Sequence, residues 1–218
     1  MPDNEVFIHL SENRKCNQTD TFRSLITFPN LASKSPFDSI LKFADNTLSA
    51  QNSQRIIVDN CVVIVLIPLV GAIEIIVNHT SKIIESGEIV YIFLQKSDAI
   101  IIQNPYEEEL INYLEIWIKN EDVVQNSVLV EKFDVINNPN KLVKISSYTL
   151  ANFFIGKYNG RKDDFLTIEK NAFVFVINGV FEVQNRLLEA RSGLALCNVE
   201  QLDFEGLGRE NIILVICT

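Results

Sequence analysis

Chemistry in a protein needs nucleophiles, acids, bases or metal ligands at workable spacings, and this sequence is poor in such arrangements. It contains two histidines, His9 and His79, so no three-histidine metal site can form within one chain. His9 stands in the alternating segment EVFIHL and His79 in the polar segment NHTSK. Lone histidines in such settings read as surface or hydrogen-bonded residues rather than ligands. The four cysteines, Cys16, Cys61, Cys197 and Cys217, show no C-x-x-C spacing, which predicts reduced and mostly buried thiols. No G-x-S-x-G is present. GKYNGRKDDF, from Gly156 to Phe165, lacks the P-loop spacing and reads as a polar connection between strands, and GLGRE at 206–210 reads as a turn. The residues therefore predict no catalytic group, no metal ligand and no cofactor.

Composition narrows the function classes further. The 218 residues carry a net charge of -9 with a pI near 4.8, and a nucleic-acid binder needs the opposite, a basic footprint that displaces counterions. Glu107, Glu108 and Glu109 follow Pro105 and read as a solvated loop rather than a docking patch. The longest apolar run, Cys61 to Ile73, spans 13 residues, too short for a bilayer and rich in β-branched residues. Buried strands, and no membrane, are the reading. The polar start MPDNEVFIHLSENRK carries no signal-peptide pattern, so a cytoplasmic location is expected.

The elements that must position any site are strands. Period-two alternation dominates, and FVFVINGVFEV places Phe173, Phe175 and Ile177 on one face. Phe173, Phe175 and Phe181 are expected in the core rather than on a stacking platform. Asn178-Gly179 is expected to close a tight hairpin. Two short helices are expected, at SPFDSILKFADN with Ser35 as cap and at EEELINYL. An internal echo is more telling. GAIEIIVNHTSKIIESGE begins at Gly71 and GVFEVQNRLLEARSGL at Gly179, an offset of 179 − 71 = 108 residues. Each runs glycine, strand with a glutamate, polar turn, second strand, Ser-Gly. Half-length repetition of a β-unit predicts two tandem jelly-roll barrels, the cupin (double-stranded β-helix) architecture, all-β with a few short helices. The expected domains are 1–120 and 121–218.

The same segments carry a resemblance. FRSLITFPNLASKSPFDSILKFADNTL, VGAIEI with IESGE, NPYEEELINYLEIWIK, FDVINNPNKLVKISS and FVFVINGVFEVQNRLLEARSGLAL resemble the pirin-like bicupins, a family that includes quercetinase-type dioxygenases. The resemblance implies one divalent metal in the first barrel, held by an H-x-H pair on one strand and an H-x-E pair on a later one. Counting back without gaps from Gly71 puts the first pair at Ile57 and Asp59. Counting back from NPYEEELINYLEIWI puts the second at Ile100 and Ile102. Three isoleucines and an aspartate then stand where the family has ligands, a vestigial pocket with the metal site erased. Each isoleucine buried there would contribute about 1.5–3 kcal/mol. An inward Asp59 would need a partner or a raised pKa. The favoured alternatives place it at the barrel rim in water, or put the register one residue away.

The erased site on a retained scaffold predicts a non-catalytic bicupin that acts as a binding or interaction module, with a protein partner or a small apolar ligand. The alternatives are a small-molecule binder using an apolar first-barrel cavity and, least favoured, a metal-dependent dioxygenase of the quercetinase type. The sequence leaves the oligomeric state open.

Overall fold

A computed structural model describes residues 5–29, 37–120, 127–145 and 149–218. Among these the regular structure is almost wholly strand, and the one helix is the 3-10 turn Ser11–Asn13. The strands fall into two units, each built from a large and a small antiparallel sheet.

In the first unit, residues 15–133 with 148–150, the large sheet has seven strands in the order Ser127–Lys132, Glu88–Leu94, Val62–Val70, Ile111–Lys119, Ile40–Leu48, Phe22–Phe28, Lys15–Gln18. Its small sheet runs Ser53–Ile57, Ala99–Gln103, Ile73–Val77, Thr80–Ile84. Between the sheets lies a core of aliphatic side chains including Val62, Ile64, Leu66, Ile73, Ile75, Val90 and Ile92.

The second unit, residues 1–14, 134–147 and 151–218, repeats the plan. Six strands, Val6–His9, Gly193–Leu196, Ala172–Asn178, Asn211–Cys217, Asn152–Tyr158 and Lys141–Ile145, form the large sheet. The small one is Lys162–Thr167, Gln201–Gly206, Val180–Val183, Arg186–Glu189. Two stacked antiparallel sheets around an apolar centre give each unit a jelly-roll plan. The boundary is not a cut at residue 120. Val6–His9 pairs with Gly193–Leu196 of the second barrel, and Ser127–Lys132 pairs with Glu88–Leu94 of the first.

The echo in sequence is an echo in backbone geometry. Gly71 and Gly179 both have positive φ, +75° and +81°, and each turns the chain from its large sheet into its small one. The hairpin after each closes on two residues with positive φ, Asn78-His79 in one barrel and Gln184-Asn185 in the other. That is the requirement of a type I′ turn. Asn178-Gly179, expected to be such a turn itself, is instead the corner between sheets. The strands on its two sides, Ala172–Asn178 and Val180–Val183, do not pair.

The two corners differ in crowding. A Cβ at Gly71 would stand 3.0 Å from the Ile111 and Tyr106 side chains, whereas at Gly179 it would stand 2.5 Å from Asn211 Oδ1 and 2.7 Å from the Glu210 carbonyl. Gly71→Ala is therefore expected to cost about 1–2 kcal/mol from the left-handed backbone alone. Gly179→Ala is expected to cost at least about 1 kcal/mol more, from overpacking. Denaturant midpoints of the two variants check this ordering, and equal losses would refute it.

Neither expected helix forms among the described residues: from Ile40 and from Ile111 onward the two segments are strands, and residues 107–110 form a loop. Ile40–Leu48 and Ile111–Lys119 are neighbours in the large sheet, paired from Ile111↔Leu48 through Trp117↔Lys42. Ser35 lies outside the described residues. A helix-like spacing of apolar groups yields here to pairing on both edges, since each segment gains two ladders of backbone hydrogen bonds that an isolated short helix lacks.

Candidate functional site

The small sheet of the first barrel carries the segments that hold the expected ligand positions. Ile100 pairs with Ile56 on one side and Val77 on the other, and Ile102 pairs with Gln54 and Ile75. Directly paired residues share a face. Ile100 and Ile102 are both fully buried in the barrel core, and Ile56 packs against that core. Val58, 1% exposed, joins the same cluster, its backbone tied to Asp98 and Ser97.

The other expected pair does not face inward. Ile57 is 58% exposed and Asp59 is exposed. Ile57 lies opposite Ala99, on the outer face of the small sheet. The count back from Gly71 crosses a bulge, where Asn112 pairs with Val70 but Tyr113 with Pro68, and then the turn 58–61 into a different sheet, and alternation does not carry across either. The inward residues of these two strands are thus Gln54, Ile56, Ile100 and Ile102, and Val58, just past the end of Ser53–Ile57, joins them in the core. Aliphatic groups offer no lone pair, and one neutral amide, Gln54, is the only donor among them, so this set does not fit a divalent cation. Among the described residues, no group of three or more His, Cys, Asp and Glu side chains could hold one.

The polar residues of this barrel lie on the large sheet. Along Ile111–Lys119 the side chains of Ile111, Tyr113 and Trp117 enter the core, and Glu115 shares their face. Glu115 is 2% exposed, and three donors converge on its carboxylate. Lys42 Nζ lies 2.6 Å from Oε1, Trp117 Nε1–H donates to Oε1 at 2.6 Å, and Asn46 Nδ2–H donates to Oε2 at 2.7 Å. The Lys42 ammonium also sits 5.1 Å from the centre of the Trp117 ring. A buried carboxylate is tolerable only when paired and hydrogen-bonded, and this one is both.

Two atoms beside it are not satisfied. Tyr113 Oη and Asn46 Oδ1 are buried without a hydrogen-bond partner. The two side chains are close enough to interact with each other: burial, and then the Glu115 charge, hold the Tyr113 phenol well above its usual pKa, against a lowering contribution from the Asn46 side chain. The sequence does carry a signal for this cluster. In NYLEIWIK, period two puts Tyr113, Glu115 and Trp117 on one face, and a lone glutamate between two inward aromatics is a buried charge in need of partners.

The second barrel offers different features. A concavity of about 460 Å³ on its small sheet is lined by Asp163, Asp164, Glu182, Asp203 and Glu205 together with Phe165. Tyr158 Oη–H donates to Asp164 Oδ2 at 2.6 Å, and burial with that bond raises the Tyr158 pKa. His9 is half-buried edge-on to Phe173, and burial lowers its pKa. In the first barrel His79 is exposed, in the hairpin turn it forms with Asn78. None of the four cysteines is in a disulfide; Cys16 is exposed and the others half-buried rather than mostly buried. Burial pushes the Cys217 thiol up to about 11, which makes it a poor nucleophile. Phe173, Phe175 and Phe181 are fully buried, and Glu107, Glu108 and Glu109 are exposed. Among the described residues, no helix is long and apolar enough to cross a membrane.

Comparison with known proteins matches the geometry at the level of fold. No family model matches the sequence, and no curated protein does. Solved structures match over nearly the whole chain. YhhW of Escherichia coli is 14% identical, with a TM-score of 0.84 over 98% of each chain. The same bacterial pirin in complex with nickel(II) aligns with 13% identity and a TM-score of 0.84, over 98% of this chain and 99% of that one. A quercetin 2,3-dioxygenase of Acinetobacter baumannii gives 10% identity and a TM-score of 0.77, over 99% of this chain and 87% of that one. The fold is that of the pirin-like bicupins.

Proposed function

We propose that this protein is a non-catalytic bicupin, a binding module whose first barrel works without a metal. The observation that carries the reading is the identity of four side chains that pack in the barrel core, Ile56, Ile100 and Ile102 on two strands of the small sheet and Val58 just past one of them, all aliphatic. They stand in pairs two residues apart, the spacing at which the resembled family sets its ligands. On this reading the ligands of that family have been replaced, and the replacement favours packing. Each buried isoleucine contributes about 1.5–3 kcal/mol, while uncompensated ligand groups would cost several.

A metal-dependent dioxygenase is disfavoured by the same residues, because its open coordination sites presuppose imidazole or carboxylate ligands. Elemental analysis of the purified protein is expected to find well below 0.1 equivalent of iron, nickel or copper, by about the margin a missing ligand set implies. About one equivalent of any of these would overturn the reading.

A further inference from the structure

We infer that two copies of this chain pair by stacking the outer faces of their first-barrel small sheets about a two-fold axis, a surface separate from the barrel interior.

The side chains on the outside of that sheet form a continuous apolar band. Ile57 lies opposite Ala99, and Ile101 lies opposite Ile76. One diagonal step joins Ile57 to Ile101, and another joins Ile76 to Ile83, which stands opposite Glu74 on the last strand. The band thus crosses all four strands. Ile57 and Ile83 are 58% and 47% exposed, and Ala99, Ile101 and Ile76 are partly exposed between them. The solvated face of an antiparallel sheet ordinarily carries polar residues. In the second barrel the same face does so, with Asp163 opposite Glu205, Glu205 opposite Glu182, and Asp203 two residues along from Glu205. The shared plan therefore does not require isoleucine there, and a contiguous exposed apolar band marks an interaction surface.

Charge, symmetry and area say what covers it. Arg55 flanks the band, exposed and opposite Ile101, while Glu74 stands on the far side and accepts from Ser81 Oγ–H. A two-fold axis running along the strands, between Ala99–Gln103 and Ile73–Val77, lays Ile101 on the second copy's Ile76 and Ile76 on its Ile101. The same axis carries Arg55 over the second copy's Ser81 and beside its Glu74, so a pair of opposite charges closes each flank. Such an interface uses one patch twice and stops at a dimer. Aligned sheets stack about 10 Å apart, which leaves room for interdigitated isoleucines. Each of the four strands has five residues, and the sheet they form presents roughly 300 Å² in projection. The corrugated surface of two such faces comes to the ~1,000 Å² at which specific pairing begins. The acidic face of the second barrel cannot stack on its own copy, because carboxylates would meet carboxylates.

The experiment measures the mass of the full chain by light scattering and sedimentation from about 1 to 200 µM, the window for an interface at the small end of the specific range. The mass is expected to rise from the 24.8 kDa of one chain toward twice that value. Ile76→Lys, next to the axis, is expected to weaken pairing at least about tenfold by burying an unpaired charge. Arg55→Glu and Glu74→Arg are each expected to weaken it as well, since like charges would then meet at both flanks. Mixed in equal amounts, these two variants are expected to pair again, because each chain meets its complement in the other. That rescue cannot arise within one chain or from a variant that fails to fold. A mass of one chain throughout, a dimer that Ile76→Lys leaves unchanged, or a mixture no heavier than its separate parts would each overturn the inference.

Discussion

Replacing Glu115 with alanine is expected to lower the stability of the protein by about 3–5 kcal/mol, because a buried charge pair loses one member and the other stays. Three donors lose their acceptor at once: the Lys42 ammonium, the Trp117 indole N–H and the Asn46 amide. The last two sit on residues 8% and 0% exposed, so water replaces the lost bonds poorly. Lys42, partly exposed, can turn toward solvent, which favours the lower end of the range. Glu115→Gln keeps the shape and one acceptor oxygen, and about half the loss is expected. Guanidinium unfolding followed by Trp117 emission measures both. A loss below about 1 kcal/mol for alanine would mean that the carboxylate is not the hub of the cluster.

Asn211→Ala is expected to cost about 3 kcal/mol in the second barrel. This fully buried amide makes four hydrogen bonds. It donates to the Tyr158 carbonyl at 3.0 Å and the Gly208 carbonyl at 2.8 Å, and it accepts from the Val180 and Gly208 N–H groups at 3.1 and 2.9 Å. One side chain therefore ties the Gly179 corner, the 206–210 turn and the end of Asn152–Tyr158 together. Alanine would leave backbone groups unpaired at three places, each costing about 1 kcal/mol or more if buried. Asn104 has a comparable station in the first barrel, donating to the Leu48 and Glu109 carbonyls and accepting from Tyr106 N–H. Asn104→Ala, with three such bonds, is the internal comparison. Hydrogen exchange at Val180 and Gly208 should accelerate in Asn211→Ala and stay unchanged in Asn104→Ala, and uniform acceleration in both would argue against local clamping.

The sequence by itself determined the class of fold and its duplication. Strand periodicity is a local property, and Gly71 and Gly179 recur because both corners need a left-handed residue at the same step of the same topology. The burial of Ile100 and Ile102 was legible for the same reason, since alternation over a short, regular strand survives any neighbour. Tertiary structure decided what alternation could not carry. A bulge at Leu69 and the turn 58–61 stand between Gly71 and residue 57, so the gapless count lands one residue off: Ile56 and Val58 face the core, while Ile57 is outward and Asp59 is exposed, one of the two alternatives favoured for it. Pairing across 73 residues brought Lys42 onto Glu115. It also turned two helix-like segments into adjacent strands whose shared inner face holds the polar cluster. Long-range pairing sets register, and register sets which groups meet in a low-dielectric interior; no local window of sequence holds that information.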